Sequence, residues 1–201
     1  MPIFPPRKVA FIHIPKCAGS SLEHRYNLRK REYFFEPKKD AYTFEGVSFA
    51  PQHLTPALLK ELVPNFNEYK TFCITRHPYD KMVSEYFWLH RDGVYGPPQP
   101  LKWNQRHFRR WLIEEASKKN MDRLLTQRTY AKDCAHVIPI EELAKQLPII
   151  DGWFGYSGKT DLGHFKRNKA SKSASKRLNQ KSKDLIFALY REDFDSLGFE
   201  R

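Results

Sequence analysis

Val9-Ala10-Phe11-Ile12-His13-Ile14-Pro15-Lys16-Cys17-Ala18-Gly19-Ser20-Ser21-Leu22 joins an apolar run, a glycine-containing turn and the start of a helix. The run Val9 to Ile14 predicts a buried strand, because both of its faces are apolar. Leu22 and Tyr26 recur at helical spacing, which predicts a helix from Ser20 to about Lys30. Arg29-Lys30-Arg31 then crowds positive charge at the helix end where the backbone dipole favours it. A strand turning tightly into a helix aims several backbone N–H groups at one point. Lys16 adds a mobile positive charge, and Ser20 and Ser21 add hydroxyl donors. Pro15 fixes the entry angle, and Gly19 permits close approach to a ligand or a positive φ. The geometry suits a phosphate or a sulfate. It does not suit a metal, since Pro15 to Ser21 offers no carboxylate or imidazole. The plain alternatives are a solvated lysine after a strand and two serines that cap a helix.

Tyr69 to Thr75 predicts a second strand. Arg76-His77-Pro78 turns it into a helix reaching about His90, with Met82, Val83, Tyr86, Phe87 and Trp88 as packing residues. Between these units, Val47-Ser48-Phe49 reads as a short strand within Tyr42 to Ala50. Thr55-Pro56 reads as N-cap and first helical residue of a helix bearing Leu58, Leu59 and Leu62, which stops near Pro64. Gly93 to Pro100 is a Gly- and Pro-rich loop. Trp103 to about Lys119 predicts a helix with Phe108, Trp111, Leu112 and Ala116 inside. Val137 to Leu147 begins extended and becomes helical, Leu185 to Tyr190 is a final helix, and Phe194 to Phe199 closes the chain. Two strand–turn–helix units indicate an α/β layered domain with a largely parallel sheet. In such sheets ligands bind beyond the carboxyl ends of the strands, the end that Lys16 and Arg76 both occupy.

The chain has 201 residues, enough for one domain over residues 1–201 with a substantial core. Its apolar content of 40% and aromatic content of 14% exclude a disordered polymer. No apolar stretch is long enough to cross a bilayer. Met1 to Lys8 is no signal peptide, because Val9 to Ile14 is too short for an apolar targeting core. The expected address is the cytoplasm. Cys17, Cys73 and Cys134 match no zinc spacing and are odd in number, which reads as free thiols. A helix start can activate Cys17 as a nucleophile, but nothing else in the loop supplies a base with an orienting partner. The formal net charge of +12 attracts nucleotides, acidic polysaccharides, nucleic acid or acidic lipid, and does not choose among them.

The lysine precedes the glycine, so the loop is not a Walker A sequence, and no acidic strand end supplies magnesium ligands. Arg76 can clamp an anion with a planar pair of donors. Ser84 lies eight residues on, about two turns into the helix. Asp80 shares the face of Ser84 and can instead pair with Arg76. His13 alternates with Ile12 and Ile14 and reads as a core histidine, and His77 shapes its turn.

Phe11 to Ser21 resembles the phosphosulfate loop of the cytosolic and Golgi sulfotransferase superfamily. It is most similar to the carbohydrate branch that includes heparan and chondroitin sulfotransferases and small bacterial relatives. Thr75 to Tyr86 resembles that family's second motif, and Leu189-Tyr190-Arg191-Glu192-Asp193-Phe194 with Leu197-Gly198-Phe199 resembles its closing segment. The resemblance implies a P-loop-like three-layer fold, with a central, largely parallel sheet flanked by helices. It also implies transfer of a sulfuryl group from 3′-phosphoadenosine 5′-phosphosulfate (PAPS) to an acceptor hydroxyl, on a carbohydrate that can itself be acidic. Neither a metal nor a specific nucleic acid is expected.

Under this resemblance Lys16 contacts the 5′-phosphate and the bridging oxygen. Pro15, Cys17, Ala18, Gly19, Ser20 and Ser21 complete the phosphate loop. Arg76 and Ser84 hold the 3′-phosphate. Asn168 and Ser171, within the basic segment Gly163 to Lys183, correspond to a lid, which composition alone reads equally as a solvated loop. Gln127 and Tyr130 correspond to an acceptor-contacting segment, and read otherwise as turn residues. The base is His53, with an ordinary pKa of about 6.5, or Glu45, since some members use glutamate. A loop histidine that packs locally is the plain alternative. Two other functions are compatible with the bare residues: a nucleotide kinase-like phosphotransferase, and a non-catalytic basic module for nucleic acid or an acidic polymer.

Overall fold

The computed structural model describes residues 3–28, 41–91, 102–158 and 174–201. In chain order the elements are β1 (Ile3–Phe4), β2 (Val9–Ile12), α1 (Gly19–Arg25), β3 (Tyr42–Phe44), β4 (Val47–Phe49), α2 (Pro56–Leu62), β5 (Lys70–Thr75), α3 (Pro78–Arg91), α4 (Gln105–Glu114), α5 (Gln127–Ala131), β6 (His136–Pro139), α6 (Leu143–Phe154), α7 (Gln180–Leu189) and α8 (Arg191–Leu197). Contacts group the chain into two compact units, Met1–Arg76 with Asn120–Lys166, and His77–Lys119 with Arg167–Arg201.

The first unit is built on a four-stranded sheet in the order β1-β2-β5-β6. The β2–β5 and β5–β6 pairs are parallel, while β1 runs antiparallel along one edge. The sheet is therefore mixed, a departure from the largely parallel expectation. The central strands are apolar on both faces because both faces are covered: Phe11, Ile12, Phe72, Cys73 and Ile74 are fully buried. β2 ends at Ile12, short of the expected Ile14, because the Ile14 N–H turns back to the Ile12 carbonyl (3.1 Å) and Pro15 has no N–H to extend the ladder.

Val47–Phe49 forms a strand outside this sheet. It pairs with Tyr42–Phe44 as an antiparallel hairpin, turned by Glu45 and Gly46, both at positive φ (47° and 76°). Such paired positive φ values match the twist of the flanking strands. The Ser48 N–H bonds the Asn120 carbonyl (3.1 Å), and Ser48 bridges to Met121, which brings the segment after Lys119 alongside β4. Thr55 caps α2 as expected, its Oγ1 accepting from the Leu58 N–H (3.3 Å), worth about 1 kcal/mol.

The second unit is helical. Met82, Val83, Tyr86, Phe108, Trp111, Leu112, Ile186 and Phe194 are buried, and Tyr86 sits edge-on to Phe108 with centroids 5.1 Å apart. The helix expected to reach Lys119 ends at Glu114 and continues as a short 3-10 turn, Ala116–Lys118. The C-terminal part is two helices rather than one, α7 and α8. The expected loop at 93–100 and cationic run at 29–31 lie outside the described residues, as do Asn168 and Ser171. No helix among the described residues is long and apolar enough to cross a membrane.

Candidate functional site

The turn between β2 and α1 is held by backbone geometry. Lys16 and Ala18 adopt left-handed conformations (φ 65° and 62°), with Cys17 between them at negative φ. Alternation of this kind turns successive N–H groups toward a common point and forms an anion-binding concavity. The amides of Ala18, Gly19 and Ser20 have no acceptor among the described residues, whereas those of Ser21 and Leu22 both bond the Ala18 carbonyl (3.0 and 3.3 Å). A left-handed alanine costs about 1–2 kcal/mol, so two such residues mark the loop as conformationally strained.

Two expectations change here. Ala18 is the N-cap and no side chain caps the helix, so Ser20 and Ser21 lie inside α1 and do not cap it. Gly19 is not at positive φ. Its lack of a Cβ is required by His13 instead, whose Nε2 would lie 1.9 Å from an added Cβ. The Cys17 thiol is buried and donates to Pro15 O (3.5 Å) and Gln127 Oε1 (3.4 Å). It is built into the fold rather than presented as a nucleophile. All three cysteines are free.

Arg76 directly follows β5, beside β2 in the sheet, with Ile12 opposite Cys73. Its Nη1 donates to the Lys16 carbonyl (3.3 Å). Gln127 holds the same arginine by its backbone: Oε1 accepts from the Arg76 N–H (2.8 Å) and Nε2 donates to the Arg76 carbonyl (2.7 Å). Gln127 is fully buried. Through Cys17 and Arg76 it joins the two loops at the carboxyl ends of β2 and β5.

His53 ends the 3-10 turn Pro51–His53 that follows β4. Its Nδ1 lies 2.7 Å from Asp122 Oδ2, and both side chains are buried. The same oxygen accepts from the Ala50 N–H (2.8 Å), and the Asp122 carbonyl accepts from the buried Tyr130 hydroxyl (2.8 Å). Burial pushes the His53 pKa down to about 4, against the pull of Asp122 and with help from His13 and Arg123. Burial also penalises the Asp122 carboxylate, but the His53 hydrogen bond and charge, the Ala50 amide and Arg123 together hold its pKa below the ordinary value. At neutral pH the pair is therefore a carboxylate and a neutral imidazole. The carboxylate only accepts, so the ring proton sits on Nδ1. The Nε2 lone pair is left over, and this atom is not among the fully enclosed polar atoms without partners. Glu45, by contrast, is exposed at the hairpin turn, at the opposite end of β4 from Ala50.

A second histidine–carboxylate pair adjoins the first. His13 Nδ1 lies 2.6 Å from Glu23 Oε1, both side chains buried, and the His13 ring meets the His53 ring edge-on, centroids 4.7 Å apart at 89°. The first unit thus joins a cationic, amide-rich loop to two carboxylate-held imidazoles. That arrangement can bind an oxyanion and accept a proton beside it.

The profile described as "Sulfotransferase family" matches residues 2–200 of the chain. The chain belongs to the sulfotransferase family. The match spans both compact units, and membership carries PAPS-dependent sulfuryl transfer as the general activity. No curated protein shows significant similarity to the chain. No group of three or more metal-ligating side chains occurs among the described residues.

In this sulfotransferase the structure brings Lys16, Ser20, Ser21, Arg76 and His53 into one unit. Gln127 and Tyr130, expected at the acceptor, are buried supports of Arg76 and Asp122. Ser84 is half-buried on α3 in the second unit. There Asp80 accepts from the Ser175 N–H (2.8 Å), and His77 Nδ1 accepts from the Tyr79 N–H (3.3 Å). Sequence reasoning missed Asp122 and Glu23. A buried histidine asks for an orienting acceptor, but with 23 acidic residues in the chain no local spacing picks these two.

Proposed function

We propose that this sulfotransferase moves the sulfuryl group of PAPS to a hydroxyl of a carbohydrate acceptor, with His53 as the general base. The observation that carries the proposal is the pairing, in one unit, of the Lys16–Arg76 contact with a neutral His53 held by Asp122. The amides of Ala18, Gly19 and Ser20, with the Ser20 and Ser21 hydroxyls, hold the 5′-phosphate. Arg76 holds the 3′-phosphate through its remaining guanidinium donors. In the transfer, the acceptor oxygen forms a bond to sulfur and its proton passes to His53 Nε2. The bond from sulfur to the bridging oxygen breaks, and 3′-phosphoadenosine 5′-phosphate departs. Negative charge grows on that oxygen, where Lys16 and the amides stabilise it. Asp122 keeps Nε2 proton-free before the step and stabilises the imidazolium after it.

The net charge of +12 supports an acceptor that is itself acidic, such as a uronate-bearing or partly sulfated glycan. A P-loop-like three-layer arrangement, a single catalytic domain over residues 1–201, a lid containing Asn168 and Ser171, and a cytoplasmic address belong to the same proposal.

The test is calorimetry of 3′-phosphoadenosine 5′-phosphate with the full chain in the absence of magnesium. Binding is expected, with Lys16→Ala and Arg76→Ala each weakening it at least about tenfold, the size of a lost charge-assisted contact. Ser84→Ala tests the second 3′-phosphate contact that the family resemblance implies. Equal affinity for adenosine monophosphate, or ATP binding that requires magnesium, overturns the proposal.

A further inference from the structure

We propose that His13, clamped by Glu23, is a positioning residue that fixes the spacing between the Gly19 amide loop and the base His53. This inference rests on the sulfotransferase reading of the site and deepens it.

The His13 ring is constrained on four sides. Phe11 stacks on it with centroids 5.5 Å apart at 17°. His53 meets it edge-on at 4.7 Å. The Cα of Gly19 takes up its Nε2 end, since a Cβ there would overlap Nε2, Cδ2 and Cε1 at 1.9, 2.0 and 2.4 Å. Glu23 Oε1 fixes Nδ1 at 2.6 Å. Glu23 belongs to α1, which Gly19 begins, so one short helix holds the ring at both ends. Packing alone does not call for this pair. An apolar side chain after β2 would fill the space without taking a carboxylate out of water, and burying such polar pairs seldom adds stability. What the pair does supply is orientation: the ring can neither tip nor slide without breaking a buried hydrogen bond or striking Gly19. His13 is the only described side chain with both a ring contact to His53 and a Cβ-excluding contact with the loop.

The titratable and charged groups around His53 are Asp122, His13 and Arg123. Freeing His13 therefore changes the setting of His53 while the Asp122 bond stays intact. A placement error of about 1 Å between base and bound donor lowers turnover on the order of 100-fold, so a spacer here acts on the chemical step more than on donor affinity.

The test uses nitrogen-15 histidine spectra of the ligand-free chain, with calorimetry and turnover beside them. Glu23→Gln keeps the shape of Glu23 and removes its charge. It is expected to move the His53 ring-nitrogen resonances and to lower kcat by about 10–100-fold, while affinity for 3′-phosphoadenosine 5′-phosphate changes less than about threefold. Gly19→Ala is expected to move the same resonances and to weaken that affinity. Adding His13→Ala to Gly19→Ala removes the overlap and restores affinity but not kcat. His53 resonances that stay unmoved in both Glu23→Gln and Gly19→Ala overturn the proposal, as does a double variant that recovers neither property. Where Glu23→Gln fails to fold, His13→Gln, which can still donate to Glu23, provides the same readout. Because the spectra need no ligand, failure of the unaltered chain to bind the bisphosphate refutes the donor reading without deciding whether His13 positions His53.

Discussion

The guanidinium of Arg76 donates to the main-chain carbonyl of Lys16 across 3.3 Å. The two cations follow adjacent parallel strands and meet through a backbone group. A planar, forked donor can bond that carbonyl and still reach an anion. Arg76→Lys keeps the charge but cannot do both. It is expected to weaken 3′-phosphoadenosine 5′-phosphate binding about tenfold, read by calorimetry.

Asp122→Asn leaves the pocket shape but removes the acceptor that sets the His53 tautomer. Turnover is expected to fall about 10²–10⁴-fold, with bisphosphate affinity unchanged within about threefold. Steady-state rates and calorimetry on one preparation separate the two effects. A parallel loss of both would assign Asp122 to folding alone.

In the ligand-free protein His53 is held near pKa 4 by burial. An anionic donor placed beside it favours the imidazolium and raises that value. The acid limb of kcat/KM, which reports the free protein, should therefore lie near pH 4. The limb of kcat, which reports the bound complex, should lie higher. Coincident limbs would mean that His53 does not sense the donor.

The same depressed pKa sets the acid sensitivity of the fold. The unfolded chain protonates His53 at about pH 6.5 and the folded chain only near 4. Between these values the unfolded state binds the extra proton. The contribution is complete above about pH 6.5 and is lost as pH falls to about 4, on the order of 3 kcal/mol in all. The lowered Asp122 pKa adds a further loss at still lower pH. Urea denaturation at pH 7.5 and pH 5 measures the slope, and His53→Gln is expected to flatten it.

Gln127→Ala removes both side-chain bonds to the Arg76 backbone. Buried groups left without partners cost about 1–3 kcal/mol each. Denaturation midpoints should fall accordingly, and bisphosphate affinity should fall with them because Arg76 loses its anchor. Unchanged affinity at reduced stability would uncouple the two.

The segments with strong local signals were legible. The apolar runs before Lys16 and Arg76, the Thr55-Pro56 cap and the packing faces of α3 and α4 all follow from periodicity and capping chemistry. His53 was picked out by its place after a strand, and its part as the base belongs to the proposal. Side-chain pairing was less legible. Asp122 lies 69 positions from His53 and Gln127 lies 51 from Arg76, and no spacing rule operates at that range. His13 and Glu23 are only ten apart, but the turn between them follows no helical or strand period. The left-handed residues proved to be Lys16 and Ala18 rather than Gly19, because the glycine was needed for lack of bulk. The hairpin was less legible, because Glu45-Gly46 is not one of the Asn-Gly or Asp-Gly pairs that announce such a turn, and only Val47–Phe49 reads as strand within Tyr42 to Ala50.

The 69-residue separation of His53 from Asp122 also bears on assembly. The strand, turn and helix of the anion loop, with their own histidine–carboxylate pair, are complete within the first 25 residues. Its strand nevertheless needs β5 to complete its parallel ladder, and its histidine packs against His53. His53 acquires its partner only when a distant segment has been synthesised and docked, a non-local closure of the slow kind. Because Gln127, which joins the Cys17 loop to Arg76, lies just beyond Asp122, the anion loop and the His53 pair are expected to be completed together during synthesis.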